Sequence, residues 1–211
     1  MAYTRSLITK IESGVFLMGL FDKIKNQSDG NVGQAANSID KGSGKSVSIV
    51  FASMPETLTE FTALPHAAMQ TPFDTAAMVV AALCVYPLSK DECAAMINYL
   101  RGPNPMAPRE VIFLSDRMAQ NKKAPYLGAS YFNGATPQNE YAPSEPYTVT
   151  ISENPYSYDQ HNCAKLFVKS GGGDSPRSIT LRQAKDNKWY LWEYSSLLLD
   201  VRAPESANPW K

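Results

Sequence analysis

The chain has few of the residues from which metal and disulfide sites are built. Its 211 residues include two histidines and three cysteines. Cys84, Cys93 and Cys163 are odd in number and form no CxxC pair, which argues against a disulfide framework and a zinc knuckle. Unpaired thiols fit the reducing cytosol. Since His66 has no second ligand at metal spacing, we expect no metal and no other cofactor.

An excess of charge of either sign is also missing. Lysine plus arginine number 20, and aspartate plus glutamate number 20, so the formal net charge is zero. Nucleic acid backbones and anionic lipids attract proteins through a surplus of positive charge. We therefore expect no nucleic acid partner. A content of 44% hydrophobic and 19% charged residues is typical of a globular protein.

No apolar run is long enough to cross a bilayer. The longest strongly apolar stretch, Ala76–Tyr86, falls far short of the roughly 20 residues needed. Near the N-terminus, Arg5, Lys10 and Glu12 interrupt the apolar residues and no small-residue cleavage site follows, which argues against a secretory signal. The sequence predicts a cytoplasmic protein without a transmembrane segment.

The N-terminal region differs from the rest in composition. Residues 12–18 can be encoded by a ribosome-binding sequence, a spacer and a start codon, so we expect residues 1–17 to be a translated leader. Beyond it, Leu20, Phe21 and Ile24 share one face of a short amphipathic helix. That helix can dock on a partner, on the core of this protein or on a membrane surface, or it can be a frayed terminus.

A linker separates this region from the main domain. Residues 26–46 are rich in Gly, Asn, Ser and Asp and have almost no large apolar residue, so they cannot repay the entropy of ordering. We therefore divide the chain into an N-terminal region over 1–46, with its leader, helix and flexible linker, and a single domain over 47–211.

Helix start signals recur in the first half of this domain. A hydroxyl residue followed three positions later by a carboxylate predicts a capping box at Ser53 with Glu56, Thr71 with Asp74, and Ser89 with Glu92. The predicted helices are Pro55–Leu64, Pro72–Val85, Lys90–Leu100 and Glu110–Ala119. Because the second is apolar nearly all round, we expect it to be the buried central helix.

The second half is rich in strand-forming residues separated by Gly, Pro and Asn. The predicted strands are Val47–Phe51, Leu127–Phe132, Tyr147–Ser152, Ala164–Lys169, Ser178–Arg182 and Trp189–Tyr194. Residues 171–175 and 186–188 are suited to hairpin connections, and Ser195–Val201 predicts a short closing helix. The expected class is α+β, with an N-terminal cluster of three to four helices packed on one face of a C-terminal antiparallel meander sheet.

Two resemblances accompany this pattern. The segment Leu181–Trp192 resembles the last hairpin of nuclear-transport-factor-like folds, where a polar turn precedes an inward tryptophan. Roughly Val47–Trp210 resembles a family of uncharacterised bacterial proteins, a domain of unknown function from Firmicutes. The segments that carry this second likeness are Thr71–Ala77, Tyr99–Pro105, Ala124–Ala135 and Arg202–Trp210. That resemblance implies no activity and no catalytic residue.

One short segment contains the residue types of an activated nucleophile. His161 lies between Asp159 and Cys163 just before a predicted strand, and a cysteine activated by a histidine that an acid orients is a known arrangement. Residues so close on one strand rarely align for such a hydrogen bond. The alternative, which we favour, is a loop histidine beside a core cysteine. We therefore assign no catalytic residue.

Aromatic residues offer a candidate recognition surface. Asn133–Pro146 is a long Pro- and Asn-rich segment, of a kind that is usually functional or disordered. Tyrosine combines a rigid contact area with a polar tip, so an aromatic patch can form near this segment. The tyrosines concerned are Tyr126, Tyr141, Tyr147, Tyr156 and Tyr158. The alternative is that they simply reflect strand composition.

Two functions of different classes follow. The first is a non-catalytic cytosolic binding or accessory protein that holds a protein partner on the Tyr- and Pro-rich surface. The second is a small-molecule-binding protein or enzyme with a pocket between helices and sheet, lined by Tyr190, Trp192, Tyr126 and His161. The lack of paired carboxylates, glycine fingerprints and metal spacing favours the first, although catalytic groups gathered from distant segments leave no local trace.

Overall fold

A computed structural model describes residues 44–207, which form four α-helices and a five-stranded antiparallel sheet. In chain order the elements are β1 (Ser46–Phe51), α1 (Leu58–Ala63), α2 (Pro72–Val85), α3 (Lys90–Arg101), α4 (Pro108–Ala119), β2 (Tyr147–Ser152), β3 (Cys163–Val168), β4 (Arg177–Gln183) and β5 (Trp189–Glu193). The α+β class is therefore confirmed. The predicted leader and amphipathic helix, almost all of the linker and the last residues of the tail lie outside the described residues.

The sheet is a meander that one early strand extends. Its order is β1-β2-β3-β4-β5, and every neighbouring pair is antiparallel. Strand β1 precedes all four helices yet pairs with β2, with Ser46 opposite Ser152. Side chains alternate along each strand, so Ile49 and Phe51 of β1 are buried while Ser48 and Val50 are exposed.

Helix α2 is the centre of the core, as predicted. Thr71 caps it, and Asp74 bonds back to the Thr71 backbone, which completes the predicted capping box. Every residue of α2 except Asp74 and Cys84 is buried, because the helix lies against all five strands and against α3. A helix apolar on all sides can only be stable in such a position.

The other two predicted capping boxes differ from the observed contacts. Helix α1 begins at Leu58, later than predicted, because the side chain of Thr57 accepts a hydrogen bond from the Glu60 backbone and takes the role expected of Ser53. Ser89 caps α3 as predicted. The Glu92 carboxylate accepts from the Leu58 backbone N–H at 2.6 Å, so it links α3 to α1.

One sequence prediction in the second half was wrong, and the predicted closing helix is shorter than expected. Leu127–Phe132 is not a strand: it is a turn followed by a 3-10 helix at Ala129–Tyr131. The segment packs so tightly on α2 that a Cβ on Gly128 would lie 2.6 Å from the backbone nitrogen of Cys84, which leaves no room for a strand side chain. The closing helix is a single 3-10 turn, Ser195–Leu198.

The helices of the described chain, residues 44–207, are too short or too polar to span a membrane.

Candidate functional site

The structure does not assemble the predicted nucleophile. Asp159 and His161 are exposed in the turn before β3, and Cys163 is half-buried at the start of that strand. No hydrogen bond joins the side chains of these three residues in the described part of the chain, where the backbone N–H of Cys163 binds the Gln160 carbonyl. A cysteine without a bonded base is a weak nucleophile.

Two of the candidate surface tyrosines are packed against each other. The rings of Tyr126 and Tyr141 stack with centroids 5.2 Å apart and planes 7° apart. Tyr141 is buried, and its hydroxyl donates to the carbonyl of Arg202. Burial raises the pKa of Tyr141 to about 12, so its hydroxyl stays protonated at neutral pH. Tyr141 therefore belongs to the protein interior and cannot take part in a recognition surface.

The other candidate tyrosines are spread over different places. Tyr147 is half-buried against Phe132, with ring centroids 6.4 Å apart. The Tyr158 hydroxyl donates to Glu153 at 3.0 Å. Only Tyr156 among them is widely exposed, at 73%. These contacts leave no continuous aromatic patch on the described surface.

Tyr190 and Trp192 do not line a pocket between helices and sheet. The Tyr190 hydroxyl donates to Asp186 at 2.7 Å, and its ring lies against Gly102, where a Cβ would come within 2.2 Å of the ring. Trp192 is exposed on the opposite side of β5 from buried Leu191. The guanidinium of Arg182 lies 4.5 Å from the centroid of the Trp192 ring, a cation–π contact.

A cleft does lie at the far end of β5, where it meets α3 and α4. Its volume is about 230 Å³. Its walls come from the last residue of α3, two residues of α4, the last residue of β5 and the chain that follows β5. The residues that line it are Arg101, Glu110, Phe113, Glu193, Tyr194, Ser195 and Leu198. None of the residues predicted from sequence to line a pocket is among them.

Arg101 is the polar centre of this cleft. It is 7% exposed, its Nη1 lies 3.1 Å from Oε1 of Glu110, and its Nε donates to the Asn104 carbonyl at 2.9 Å. The second Glu110 oxygen accepts from the Ala107 backbone at 2.7 Å, at the start of α4. A guanidinium has five N–H donors. Nη2 of Arg101 bonds to no described residue.

Tyr194 and Glu193 complete the electrostatics of the cleft. Tyr194 is buried and its hydroxyl donates to the sulfur of Met106 at 3.3 Å. Burial, together with nearby acidic groups, raises the pKa of Tyr194, so the residue is neutral at physiological pH. Glu193 accepts from the Ser195 backbone at 2.6 Å. The formal charges of Arg101, Glu110 and Glu193 leave the lining with one net negative charge.

Helix α4 places an apolar surface beside the cleft. Only Leu114 and Met118 of this helix are buried. The apolar residues Val111, Ile112 and Phe113, which we call the α4 surface, are exposed at 39%, 61% and 39%. Phe113 belongs to both features, since it also lines the cleft, and the Arg117 guanidinium lies 5.0 Å from its ring centroid.

The structure also joins a histidine and an aspartate that sequence reasoning kept apart. Nδ1 of His66 lies 2.7 Å from Oδ1 of Asp74. Burial alone would raise the pKa of Asp74, but hydrogen bonds from His66 and Thr71 outweigh it and lower that pKa. The sequence pattern assigns Asp74 only to the capping box with Thr71. The sequence feature that could have indicated the pair is the histidine on the turn immediately before this helix. The pair ties that turn to α2.

A buried lysine is held in a second polar cluster, near the C-terminal end of the described chain. Nζ of Lys123 lies 2.6 Å from Oδ1 of Asp200, and Asn121 donates to the other Asp200 oxygen at 2.9 Å. Arg177 donates to the Asp200 carbonyl at 3.0 Å. Because both carboxylate oxygens and the carbonyl of Asp200 accept hydrogen bonds from these residues, the cluster holds the segment after β5 in place.

Sequence comparison adds a family to this geometry. A family model described as Domain of unknown function (DUF6935) matches residues 53–205, most of the 211-residue chain. No curated protein and no solved structure matches this chain. The likeness of the last hairpin to nuclear-transport-factor-like folds therefore stays a prediction.

Proposed function

The chain belongs to the DUF6935 family, and we propose that it is a binding protein without a catalytic role, which holds a protein partner on the α4 surface. The observation that carries this proposal is the exposure of three consecutive apolar residues, Val111, Ile112 and Phe113. Single exposed apolar residues are common, but several exposed on one helix beside a cleft are typical of interaction sites. Arg109 and Asp116 on the same helix are also exposed and lie among these apolar residues.

The adjoining cleft supports the same function. At about 230 Å³, it is smaller than the roughly 300–1,000 Å³ of sites that enclose a small ligand. It is therefore better suited to one side chain of a partner that already contacts α4. Phe113 and Leu198 give this side chain an apolar wall, and Nη2 of Arg101 offers it a hydrogen bond.

A small-molecule ligand is the second candidate, and one observation favours it. Arg101 is a buried cation with unused donors, and such groups orient carboxylate-bearing ligands. Against it stand Glu110 and Glu193, which give the lining a net negative charge. A small carboxylate ligand would be repelled by this negative charge. A protein partner would also bury the apolar α4 surface, which offsets that repulsion. The geometry therefore supports the protein partner better.

We further propose a bacterial cytosol as the place where the protein acts. The resemblance of the chain to bacterial proteins supports the source. Cys84, Cys93 and Cys163 are all unpaired thiols, which supports a reducing compartment. Desolvation within the packed fold raises the pKa of Cys84, which is half-buried, and of Cys93, which is buried, to about 12, so these two thiols are protonated and unreactive there.

Site-specific photo-crosslinking tests the proposal. A photoreactive phenylalanine analogue replaces Ile112 in one variant and the widely exposed Tyr156 in a control. If α4 is the binding surface, irradiated cells give a discrete crosslinked protein from position 112 that position 156 does not give. The partner that the crosslink identifies is then purified without the crosslink. Its affinity for the unmodified chain and for substituted chains is measured.

The affinities separate the two candidate functions. We expect Ile112→Ser to weaken binding of that protein by about tenfold or more, the effect of losing a central apolar contact, while Tyr156→Ser leaves it unchanged. A crosslink at 156 but not at 112, or equal affinity of the Ile112 variant, would contradict the proposal. A small acid that binds the chain and loses affinity with Arg101→Gln, with no crosslink at 112, would favour the second candidate.

A further inference from the structure

The two edge strands of the sheet differ in whether other described residues bond to their outer backbone groups. The β5 edge is occupied at its start, because the backbone N–H of Trp189 donates to the Met69 carbonyl at 2.9 Å and its carbonyl accepts from Thr75 at 2.6 Å. Helix α3 also packs against β5. Strand β1 forms the opposite edge and, among residues 44–207, pairs only with β2.

The unpaired backbone groups of β1 can be identified from its register. The carbonyl of Lys45 accepts from the Glu153 backbone at 2.9 Å, so Lys45 points its backbone groups toward β2. These groups alternate between the two sides of an antiparallel strand. The N–H and C=O groups of Ser46, Ser48 and Val50 therefore point away from the sheet, and they bond to no described residue.

Strand β1 also lacks the features that protect sheet edges. Natural edge strands usually carry a charged residue, a proline or a bulge, which prevents pairing with another chain. The six residues of β1, SVSIVF, include none of these, and the register with β2 is unbroken. Ser46, Ser48 and Val50 are all exposed. An open, uncharged edge of this kind is able to accept another strand.

We propose that the occupant is the β1 strand of a second copy, paired antiparallel about a two-fold axis at Ser48. In this register Ser48 faces Ser48 of the partner subunit, and Ser46 faces Val50 of the partner subunit. The three residues whose backbone groups point outward thus meet the same three in the second copy. The result is one continuous ten-stranded sheet.

The side-chain pattern agrees with this register. Val47 of one copy faces Ile49 of the partner subunit, so the two apolar faces lie on the same side and both helical layers cover it. A shift by one residue would place apolar side chains opposite polar ones. A symmetric pair needs one self-complementary strand, which β1 is.

Charge supports a second copy over a charged partner. Neither β1 nor its neighbour β2 carries a charged side chain, and the chain has zero formal net charge, so two copies approach without repulsion. Standard stable interfaces involve roughly 20–30 residues on each side, far more than one six-residue strand. We therefore expect a dimer that dissociates on dilution.

Analytical ultracentrifugation of the full chain over a range of concentrations tests this proposal. The expected result is a shift from one chain to two as the concentration rises. Ser48→Lys places two like charges on the axis and should raise the dissociation constant by at least about tenfold. Thr180→Lys is the control, since Thr180 lies between two buried residues of the inner strand β4 and should leave the dimer intact.

A second variant guards against an indirect effect of the lysine. Ser48→Pro removes an N–H that the ladder with β2 does not use and one exposed side-chain hydrogen bond with Thr150, so the monomer should keep most of its thermal stability while the dimer is lost. Hydrogen exchange at Ser48 of the natural chain should slow as concentration rises. Slow exchange at Ser48 that is independent of concentration would overturn the proposal, because another segment of the same chain would then cover the edge.

Two further results would also overturn it. One is a single chain at every concentration, and the other is an unchanged dimer in both Ser48 variants. This inference does not depend on the α4 surface. Ile112→Ser should keep the dimer, so a failure of one proposal can be told from a failure of the other.

Discussion

The loop of residues 133–146 and helix α4 differ in whether their side chains contact the rest of the protein. The loop is rich in Pro, Asn and Tyr and has the composition of a binding segment, yet its polar and aromatic groups contact the protein itself. Helix α4 has an ordinary amphipathic sequence, yet it leaves Val111, Ile112 and Phe113 exposed. Composition alone therefore does not locate a binding surface, because it does not reveal which groups find partners within the fold.

Asn139 and Tyr141 show how the loop is held. Asn139 accepts from the Thr136 backbone at 2.8 Å and donates to the carbonyls of Gly134 and Ala142. The Tyr141 ring lies so close to Gly172 that a Cβ there would be 1.8 Å from the hydroxyl oxygen. The glycine-rich turn after β3 is therefore also a packing surface for the loop.

The largest effect is expected from Tyr141→Ala. It removes a buried ring and the hydrogen bond to Arg202, so we expect the free energy of unfolding to fall by about 3–5 kcal/mol. Urea unfolding measures this. Tyr156→Ala is the control, and because Tyr156 is exposed it should change the free energy by less than about 0.5 kcal/mol. Similar losses in both variants would mean that the loop is not packed as described.

Asn139→Ala should have an intermediate effect. It removes four hydrogen bonds within the loop, but the site is exposed and water can replace part of them. We expect a loss of about 1–2 kcal/mol in the free energy of unfolding. Gln138→Ala, one residue away at an exposed position, provides the control and should be neutral. If the two variants unfold alike, Asn139 does not order the loop.

Helix α4 offers the matched comparison for stability. Ile112→Ala alters an exposed position and slightly favours the helix, so we expect a change within about 0.5 kcal/mol. Leu114→Ala, on the buried side of the same helix, should lower the free energy of unfolding by about 2–5 kcal/mol. A large loss for Ile112→Ala would show that its side chain is packed in the free protein, which would contradict an open α4 surface.

The smallest effect concerns the ionisation of Glu140. Its carboxylate accepts hydrogen bonds from the Ser206 hydroxyl and backbone, and these lower the pKa of Glu140 below the ordinary value of 4.5. Since the ionised form is favoured in the fold, this contact is present above that value and is lost as the pH falls through the lowered pKa. An NMR titration should show Ser206→Ala moving the pKa of Glu140 back upward. An unchanged pKa would mean that the loop does not hold Ser206.

Local patterns predicted much of the fold. The capping residues Thr71 and Ser89 and the all-apolar second helix located α2 and α3 closely, because caps and periodicity act within one turn of chain. The segment 127–132 was assigned to a strand on its β-forming residues. Its conformation depends instead on the approach of Gly128 to α2, a tertiary contact that propensity does not contain.

The candidate site was less accessible from sequence. Arg101 and Glu110 meet across the turn between α3 and α4, and Glu193 joins them from β5. Their proximity depends on how distant elements pack, and no short motif records it. The predicted grouping of Asp159, His161 and Cys163 did not form, because Asp159 and His161 lie on the exposed turn and only Cys163 belongs to strand β3.

Hydrogen exchange of the chain, alone and with the protein crosslinked through position 112, tests the binding surface most directly. If α4 is the binding surface, exchange in α4 slows on binding while exchange in residues 133–146 is unchanged. Slower exchange in residues 133–146 with α4 unaffected would contradict this prediction, and would return the binding function to the Tyr- and Pro-rich loop.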